Sequence, residues 1–239
     1  MSVSVPIVFI PGASSDNTSW DDQRAYFSKK AEVIVADITG FDTVGAMADY
    51  ILKIAPPEFA LCGTSMGGYV ALDVLKKAKG RVKKAVLCNT SARADAPERQ
   101  RQRQMEVALG EEAFVKNRQD DTHYRAFISE KSFSNKALIA RLRDISMRVG
   151  YGCFKRHQMA CATRPESLSF LQQIDIPVLL IGGAEDTLIP PALQAEMQEK
   201  IKGSVFTILP EAGHITQMEA ADALTVELDK FLFASGKAA

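Results

Sequence analysis

Short apolar runs alternate with longer segments of helical character along the first ninety residues of the chain. The apolar runs cover residues 7–10, 33–36, 59–62 and 85–88. The helical segments between them cover residues 20–30, 43–54 and 68–77. Apolar runs of this length, without polar alternation, are typical of strands buried on both faces, as in parallel sheets. The pattern therefore predicts an α/β protein with a parallel sheet and helices packed against it.

The alternation stops at about residue 92 and returns at about residue 172. Between these positions apolar residues recur at helical spacing, arginines are frequent and no strand pattern is visible, so we expect three or four helices. Strand-like runs return at residues 177–181 and 205–209, and an amphipathic helix is predicted for residues 217–233. We expect the tail, residues 234–239, to be frayed. The sheet should then have six strands, with a helical insertion after the fourth.

The composition argues against several classes of binding partner. The 239 residues contain 29 Lys plus Arg and 29 Asp plus Glu. A balanced charge creates no field that would steer nucleic acid or an anionic membrane, so we expect neither partner. No apolar run approaches the length of a membrane span and no signal peptide is visible, so we expect a cytoplasmic protein. The four cysteines lack zinc-type spacing and no glycine-rich phosphate loop with a lysine is present, so we expect no metal and no cofactor.

The most informative stretch joins the third apolar run to the helical segment that follows it. It reads Gly63-Thr64-Ser65-Met66-Gly67, which fits the pattern G-x-S-x-G. A strand that reverses directly into a helix must turn sharply, and small neighbours make room for the strained residue at the apex. Such a turn lifts the Ser65 hydroxyl out of the sheet and places the Met66 N–H at a helix N-terminus, where negative charge is favoured.

This stretch resembles the nucleophile elbow of the α/β-hydrolase superfamily, and the order of predicted elements extends the resemblance to nearly the whole chain. The resemblance implies a mostly parallel sheet of about six strands flanked by helices, with a helical cap after the fourth strand. Residues 1–91 and 172–239 would form the core, and residues 92–171 the cap. The loops and cap look most like those of small bacterial carboxylesterases and enol-lactonase-like hydrolases.

A serine nucleophile needs a base, and three histidines are available. His214 follows the last predicted strand, and ligands of open parallel sheets bind at the carboxyl ends of the strands. The superfamily places its catalytic histidine in this loop, so the resemblance implies that His214 is the base that accepts the proton of Ser65. His123 and His157 lie in the helical insertion, where we expect ordinary helix or cap-surface residues.

The acid that orients the histidine should also follow a strand. Asp186 stands in the segment 181–186, which resembles the G-x-x-D loop of the superfamily. Glu185 is the alternative, since it is the next residue and also a carboxylate. Asp37 follows a strand too, but it precedes the serine, whereas the superfamily order is serine, acid, histidine.

Two backbone N–H groups should stabilise the oxyanion that forms during acyl transfer. One is the N–H of Met66. The resemblance implies a second in the loop after the first strand, where the superfamily usually carries His-Gly and this chain reads Pro11-Gly12-Ala13. The second donor would be the N–H of Ala13. The proline leaves open how this loop is supported.

These residues predict a serine hydrolase that cleaves a small carboxylic ester or lactone through an acyl-enzyme, as a monomer or small homo-oligomer. A C–C bond hydrolase, an acyltransferase and a hydroxynitrile lyase would use the same triad, and a non-enzymatic ligand receptor can share the fold. The arginines of the insertion leave a further alternative open, since one of them could bind a substrate carboxylate or all could simply be solvated.

If Ser65 is the nucleophile, Ser65→Ala should lower kcat by about 10⁵–10⁶, as removal of the nucleophile does in another serine hydrolase triad. A fluorophosphonate should label Ser65 in the wild-type protein, with the labelled peptide identified by mass spectrometry. Labelling of another serine, or normal turnover by Ser65→Ala, would contradict the assignment.

Overall fold

Six parallel strands form one sheet. The computed structural model describes residues 5–78 and 80–233. The strands are β1 Ile7–Ile10, β2 Val33–Val35, β3 Phe59–Thr64, β4 Val82–Cys88, β5 Val178–Gly183 and β6 Val205–Leu209. Their order across the sheet is β2-β1-β3-β4-β5-β6, and every neighbouring pair is parallel. The predicted fold class is confirmed, and β1 and β3 are neighbours, so the loops that follow them open at the same edge.

The described residues contain nine α-helices, of which the last two follow β6 and the others lie between strands. They are α1 Asp21–Phe27, α2 Val44–Ile54, α3 Met66–Lys77, α4 Pro97–Ala108, α5 Gly110–Gln119, α6 Lys136–Thr163, α7 Pro191–Lys200, α8 Thr216–Glu219 and α9 Ala221–Phe233. Short 3₁₀ turns cover Asn17–Trp20, Asp121–Ala126, Ser132–Ser134 and Leu171–Gln173. None of these helices combines the length and the apolarity that crossing a bilayer requires.

Two predicted helices differ from those observed. The helix predicted for residues 20–30 starts as a 3₁₀ turn, because the Asp16 carboxylate accepts the Thr18 N–H, and its α-helical part ends at Phe27. The helix predicted for residues 217–233 is broken at Ala220, whose backbone angles (φ −120°, ψ 44°) end α8 before α9 begins. The predicted frayed tail lies outside the described residues.

Alternate residues of each strand face opposite sides of the sheet, and both sides are buried. Val8 and Ile10 of β1 pack on one side in a cluster with α2 and α3. Ile7 and Phe9 pack on the other side with α1 and α9. Trp20 belongs to this second cluster: it is fully buried, its ring centroid lies 4.7 Å from that of Phe9, and its indole N–H donates to the Ile10 carbonyl (3.2 Å). Trp20 is therefore a core anchor.

The described chain between β4 and β5 is helical and contains no strand. The longest helix, α6, is interrupted at Gly150, whose angles (φ 71°, ψ 177°) lie outside the helical region and favour glycine. By contrast with α6, the exposed helix α4 has no buried residue. The assignment of residues 92–171 as a cap domain stays a prediction.

The turn between β3 and α3 depends on close backbone contacts. A Cβ placed on Gly63 would lie 2.3 Å from the Gly67 carbonyl oxygen, and one on Gly67 would lie 2.3 Å from the Ile10 carbonyl oxygen. Both distances are far below van der Waals contact, and the atoms that would be hit are backbone atoms that cannot rotate away. The glycines of the motif therefore allow α3 to pack directly against the end of β1.

Because of this contact, Gly67→Ala should destabilise the fold by about 3 kcal/mol, the upper end of the usual cost of overpacking. The free energy of unfolding can be measured by urea denaturation. Gly40→Ala is the matched control, since a Cβ there meets no atom within 4 Å, and it should change stability by less than about 0.5 kcal/mol. Equal unfolding midpoints for Gly67→Ala and wild type would contradict the prediction.

Candidate active site

Ser65 stands at the apex of the turn between β3 and α3. Its backbone angles are φ 54° and ψ −118°, which lie outside the regions that residues with a side chain normally adopt. Hydrogen bonds to the end of β4 hold this strained residue: its N–H donates to the Cys88 carbonyl (2.9 Å), and its own carbonyl accepts the Thr90 hydroxyl (2.8 Å). The sequence therefore places the serine on a rigid support, with its side chain free to point away from the sheet.

The structure brings His214 between Ser65 and Asp186. The Ser65 hydroxyl lies 2.9 Å from Nε2 of His214, and the Asp186 Oδ2 lies 2.8 Å from Nδ1. A carboxylate accepts hydrogen bonds, so the proton of a neutral imidazole belongs on Nδ1, and Nε2 is left to accept the serine hydroxyl. The three side chains thus have the arrangement that transfers a proton from the serine to the histidine.

Asp186 is buried, and four donors fix its carboxylate. Besides His214, its Oδ2 accepts the side-chain amide of Asn89 (3.0 Å). Its Oδ1 accepts the backbone N–H groups of Leu188 and Ile189, at 3.0 and 2.9 Å. With every position around the carboxylate occupied, Asp186 can hold the imidazole in one orientation.

Glu185, the alternative acid, points elsewhere. Its carboxylate accepts the backbone N–H of Glu130 in the helical insertion (3.1 Å), and it makes no contact with His214. The geometry therefore favours Asp186 as the partner of the histidine. Asp37 is a loop residue whose carboxylate accepts the Thr39 N–H and hydroxyl (3.1 and 2.6 Å).

Asn89 is a site residue that the sequence analysis missed. It follows β4 directly, and its φ of 46° is a conformation that asparagine tolerates better than most residues. Its side-chain amide N–H₂ donates to Asp186 and to the Gly213 carbonyl (3.2 Å), while its amide oxygen accepts the Thr216 hydroxyl (2.7 Å). Asn89 thereby ties the acid to the loop that carries the histidine. Its position at a strand end, like that of Asp186, was the available signal.

Glu219 also supports the histidine loop. Its two carboxylate oxygens accept the backbone N–H groups of Gly213 (2.7 Å) and Ser129 (2.6 Å). The N–H of His214 itself donates to the Phe127 carbonyl (2.8 Å). The loop after β6 is therefore bonded to the segment between α5 and α6, which no local sequence pattern predicts.

The two predicted oxyanion donors flank Ser65. Met66 is the first residue of α3, so its N–H has no partner within the helix. A Cβ placed on Gly12 would lie 3.5 Å from Cβ of Ser65, so the loop after β1 lies against the serine. Ala13 is the next residue of this loop, and it lines the same cavity as Ser65. The role of both N–H groups stays a prediction.

His157 is not the surface residue that we expected. It is fully buried, because it lies on α6 where this helix packs against the loops after β1 and β2. Its Nδ1 accepts the Ser14 N–H (2.9 Å), which leaves Nε2 to donate to the Ile38 carbonyl (3.1 Å). Burial lowers the pKa of His157, in keeping with the neutral form that these bonds require. The insertion thus supplies a histidine to the loop in which proline replaces the usual one.

A cavity of about 660 Å³ opens above Ser65 and His214. The helical insertion contributes apolar side chains to its wall, including Phe114, Leu142 and Phe154. His123 also lines it and is half-buried in the 3₁₀ turn Asp121–Ala126; burial, with a smaller contribution from Arg118, lowers its pKa to about 4. Among the described residues, no group of three or more His, Cys, Asp or Glu side chains is arranged to hold a metal ion.

Comparison with known proteins agrees with the fold. A model of the alpha/beta hydrolase family matches residues 7–228, so the chain belongs to this family. The protein is therefore a hydrolase built on a parallel sheet.

Its relatives include several esterases. The chain is 27% identical to a thermophilic esterase from Thermogutta terrifontis, solved with malate bound, over 96% of this chain and 90% of that one, with a TM-score of 0.87. It is 25% identical to the enol-lactonase of Burkholderia xenovorans LB400, over 96% and 91% of the two chains, with a TM-score of 0.84. It is also 29% identical, over 98% of this chain and 95% of the relative, to a protein of Mycobacterium tuberculosis provisionally named non-heme bromoperoxidase BpoC.

The hydrogen bonds of Asp186 and Glu185 predict opposite outcomes for two conservative substitutions. Asp186→Asn keeps the shape but favours the wrong tautomer of His214, an effect of about 10⁴ in kcat in the chymotrypsin-type triad. Glu185→Gln is the matched control and should cost less than about tenfold, because its side chain bonds to the backbone of the insertion. The measurement is kcat for both variants at one pH with one ester. A large loss of kcat in Glu185→Gln, together with a near-normal kcat in Asp186→Asn, would show that the acid is misassigned.

Proposed function

We propose that the protein is a serine hydrolase that cleaves a small carboxylic ester or lactone through an acyl-enzyme. The observation that carries the proposal is the chain of two short hydrogen bonds from Ser65 through His214 to Asp186. This chain lies in the wall of a cavity large enough for a small-molecule substrate, since such sites usually measure about 300–1,000 Å³.

The geometry supports two chemical steps. In the first, Oγ of Ser65 attacks the carbonyl carbon while Nε2 of His214 takes the hydroxyl proton. The imidazolium then returns this proton to the departing alcohol oxygen as the C–O bond of the ester breaks. Asp186 stabilises the imidazolium through Nδ1–H, and the N–H groups of Met66 and Ala13 would receive the oxyanion.

In the second step, a water molecule replaces the alcohol. His214 takes a proton from the water, whose oxygen attacks the acyl carbon, and the serine oxygen leaves with that proton. The products are the free acid and the regenerated serine. In a lactone the alcohol and acid belong to one molecule, so a single hydroxy acid results.

The relatives support an ester as the substrate. The esterase and the enol-lactonase both act on acyl–oxygen bonds by their names, and a methyl ester esterase of Neisseria meningitidis is 24% identical over 91% of this chain and 88% of its own. A receptor on this fold has no need of a serine hydrogen-bonded to a base. The alternatives that use the same triad differ in the bond that breaks.

Turnover separates an enzyme from a receptor. A series of p-nitrophenyl esters of increasing acyl length should be hydrolysed with many turnovers per protein molecule, measured as nitrophenolate release beyond one equivalent. Ser65→Ala is the control and should show only background release. If a broad panel of esters, lactones and thioesters gives at most one turnover while some raise the melting temperature by binding, the protein is a receptor and the proposal fails.

A further inference from the structure

The wall of the cavity above Ser65 carries more positive than negative charge. Five arginines and two acids line it: Arg93, Arg99, Arg103, Arg118, Arg164, Asp95 and Glu106. Guanidinium groups keep their charge at any physiological pH. This excess of cations in the wall of one cavity calls for an explanation, because the chain as a whole is neutral.

Four of the five arginines form ion pairs with acids of the protein. Arg103 and Arg164 share the buried carboxylate of Asp95, at 2.5 and 2.7 Å. The remaining two form ion pairs of 2.6 and 3.6 Å, Arg93 with Glu196 and Arg99 with Glu106. Each of these four guanidinium groups therefore has an acid partner within the protein.

Arg118 is the exception. It lies in α5 and is only 8% exposed, yet no acid of the described residues pairs with it. Its Nε donates to the Ser146 hydroxyl (2.9 Å), and its guanidinium carbon lies 4.7 Å from the ring centroid of Phe114 and 5.3 Å from that of Phe154. Glu106 acts on Arg118 electrostatically, but its ion pair is with Arg99.

The orientation of Arg118 leaves one edge of its guanidinium available. Nε is used by Ser146, two neighbouring aromatic side chains, Phe114 and Phe154, pack against the guanidinium, and neither Nη group has a hydrogen-bond partner among the described residues. Two Nη–H groups in one plane match the two oxygens of a carboxylate. A buried charge without a partner is costly, so a site of this kind is completed by an anion.

We propose that Arg118 binds a carboxylate of the substrate, so that the preferred substrates are esters or lactones that carry a second, free carboxylate. This inference rests on the proposed function, since it names the class of ester that Ser65 would receive. The apolar side chains that line the same cavity, such as Leu142 and Ile145, would contact the carbon chain that joins the ester to the carboxylate.

The kinetic test uses monomethyl esters of straight-chain diacids from succinate to pimelate, each compared with the methyl ester of the monocarboxylic acid of equal length. Wild type should prefer the anionic ester at its best length by at least tenfold in kcat/KM. Arg118→Met should abolish this preference, a loss on the order of 10–100-fold in kcat/KM for the anionic ester that appears mainly in KM and exceeds any loss for the neutral ester.

Two further variants make the test specific. Arg118→Lys keeps the charge but loses the two-point contact, so it should retain part of the preference. Arg101→Met is the matched control, because Arg101 is an exposed arginine of the same insertion that forms an ion pair with Glu98, and it should behave as wild type. A preference that survives in Arg118→Met, or a wild-type enzyme that favours neutral esters, would overturn the inference.

A binding experiment separates this inference from the proposed function. Glutarate, adipate or pimelate should raise the melting temperature of Ser65→Ala, and the effect should disappear in the double variant Ser65→Ala/Arg118→Met. Dicarboxylate binding through Arg118 without hydrolysis of any ester would refute the esterase and keep the carboxylate site. Hydrolysis of neutral esters without any effect of dicarboxylates would keep the esterase and refute the site.

Discussion

The turn at Ser65 exists only because three backbone segments touch without side chains between them. Gly63 and Gly67 lie against each other and against the end of β1, at distances that a single added carbon would prevent. The same device recurs where the histidine loop meets β5, since a Cβ on Gly183 would lie 2.0 Å from the Gly213 carbonyl oxygen. The serine and the histidine are thus positioned by backbone contact, which leaves their side chains little freedom to drift.

Next to these backbone contacts, a network of hydrogen bonds between buried polar groups orients Asp186 and the loop that carries His214. Asp186 receives four hydrogen bonds, and Asn89 connects it to both Gly213 and Thr216. In a low-dielectric interior a fully satisfied network is rigid, whereas the loss of one member leaves the others unpaired. Asn89 therefore acts on the reaction through the position of other residues rather than by touching a substrate.

The sequence allowed the sheet, the turn and the candidate Ser65, His214 and Asp186 to be predicted because their signals are local. Buried parallel strands are short and uniformly apolar, and chemistry-bearing residues follow their carboxyl ends. In the helical insertion the sequence shows only apolar residues at helical spacing. This spacing indicates helices, but it does not indicate which residues pack against them. Whether an arginine there is solvated or turned inward depends on packing that no local pattern encodes.

Long-range contacts explain the residues that were missed. His157 meets Ser14 across 143 positions of sequence, and Glu219 meets Ser129 across 90. Both look like ordinary helix residues when only their neighbours in sequence are considered. Their contacts become visible once the insertion is folded onto the strand ends.

The hydrogen bond that His157 accepts from the Ser14 N–H distinguishes two parts of the insertion. Helix α6 is fixed by this bond, whereas α4 can be displaced more easily. If α6 moved away at this point, the Ser14 N–H would lose its hydrogen-bond partner, so this part of the insertion is fixed to the loop after β1. Helix α4 has no buried residue and meets α6 through polar contacts such as Arg103 to Gln158 (2.7 Å). Displacement of α4 would therefore break polar contacts such as this one and would leave the hydrogen bonds between Ser65, His214 and Asp186 intact.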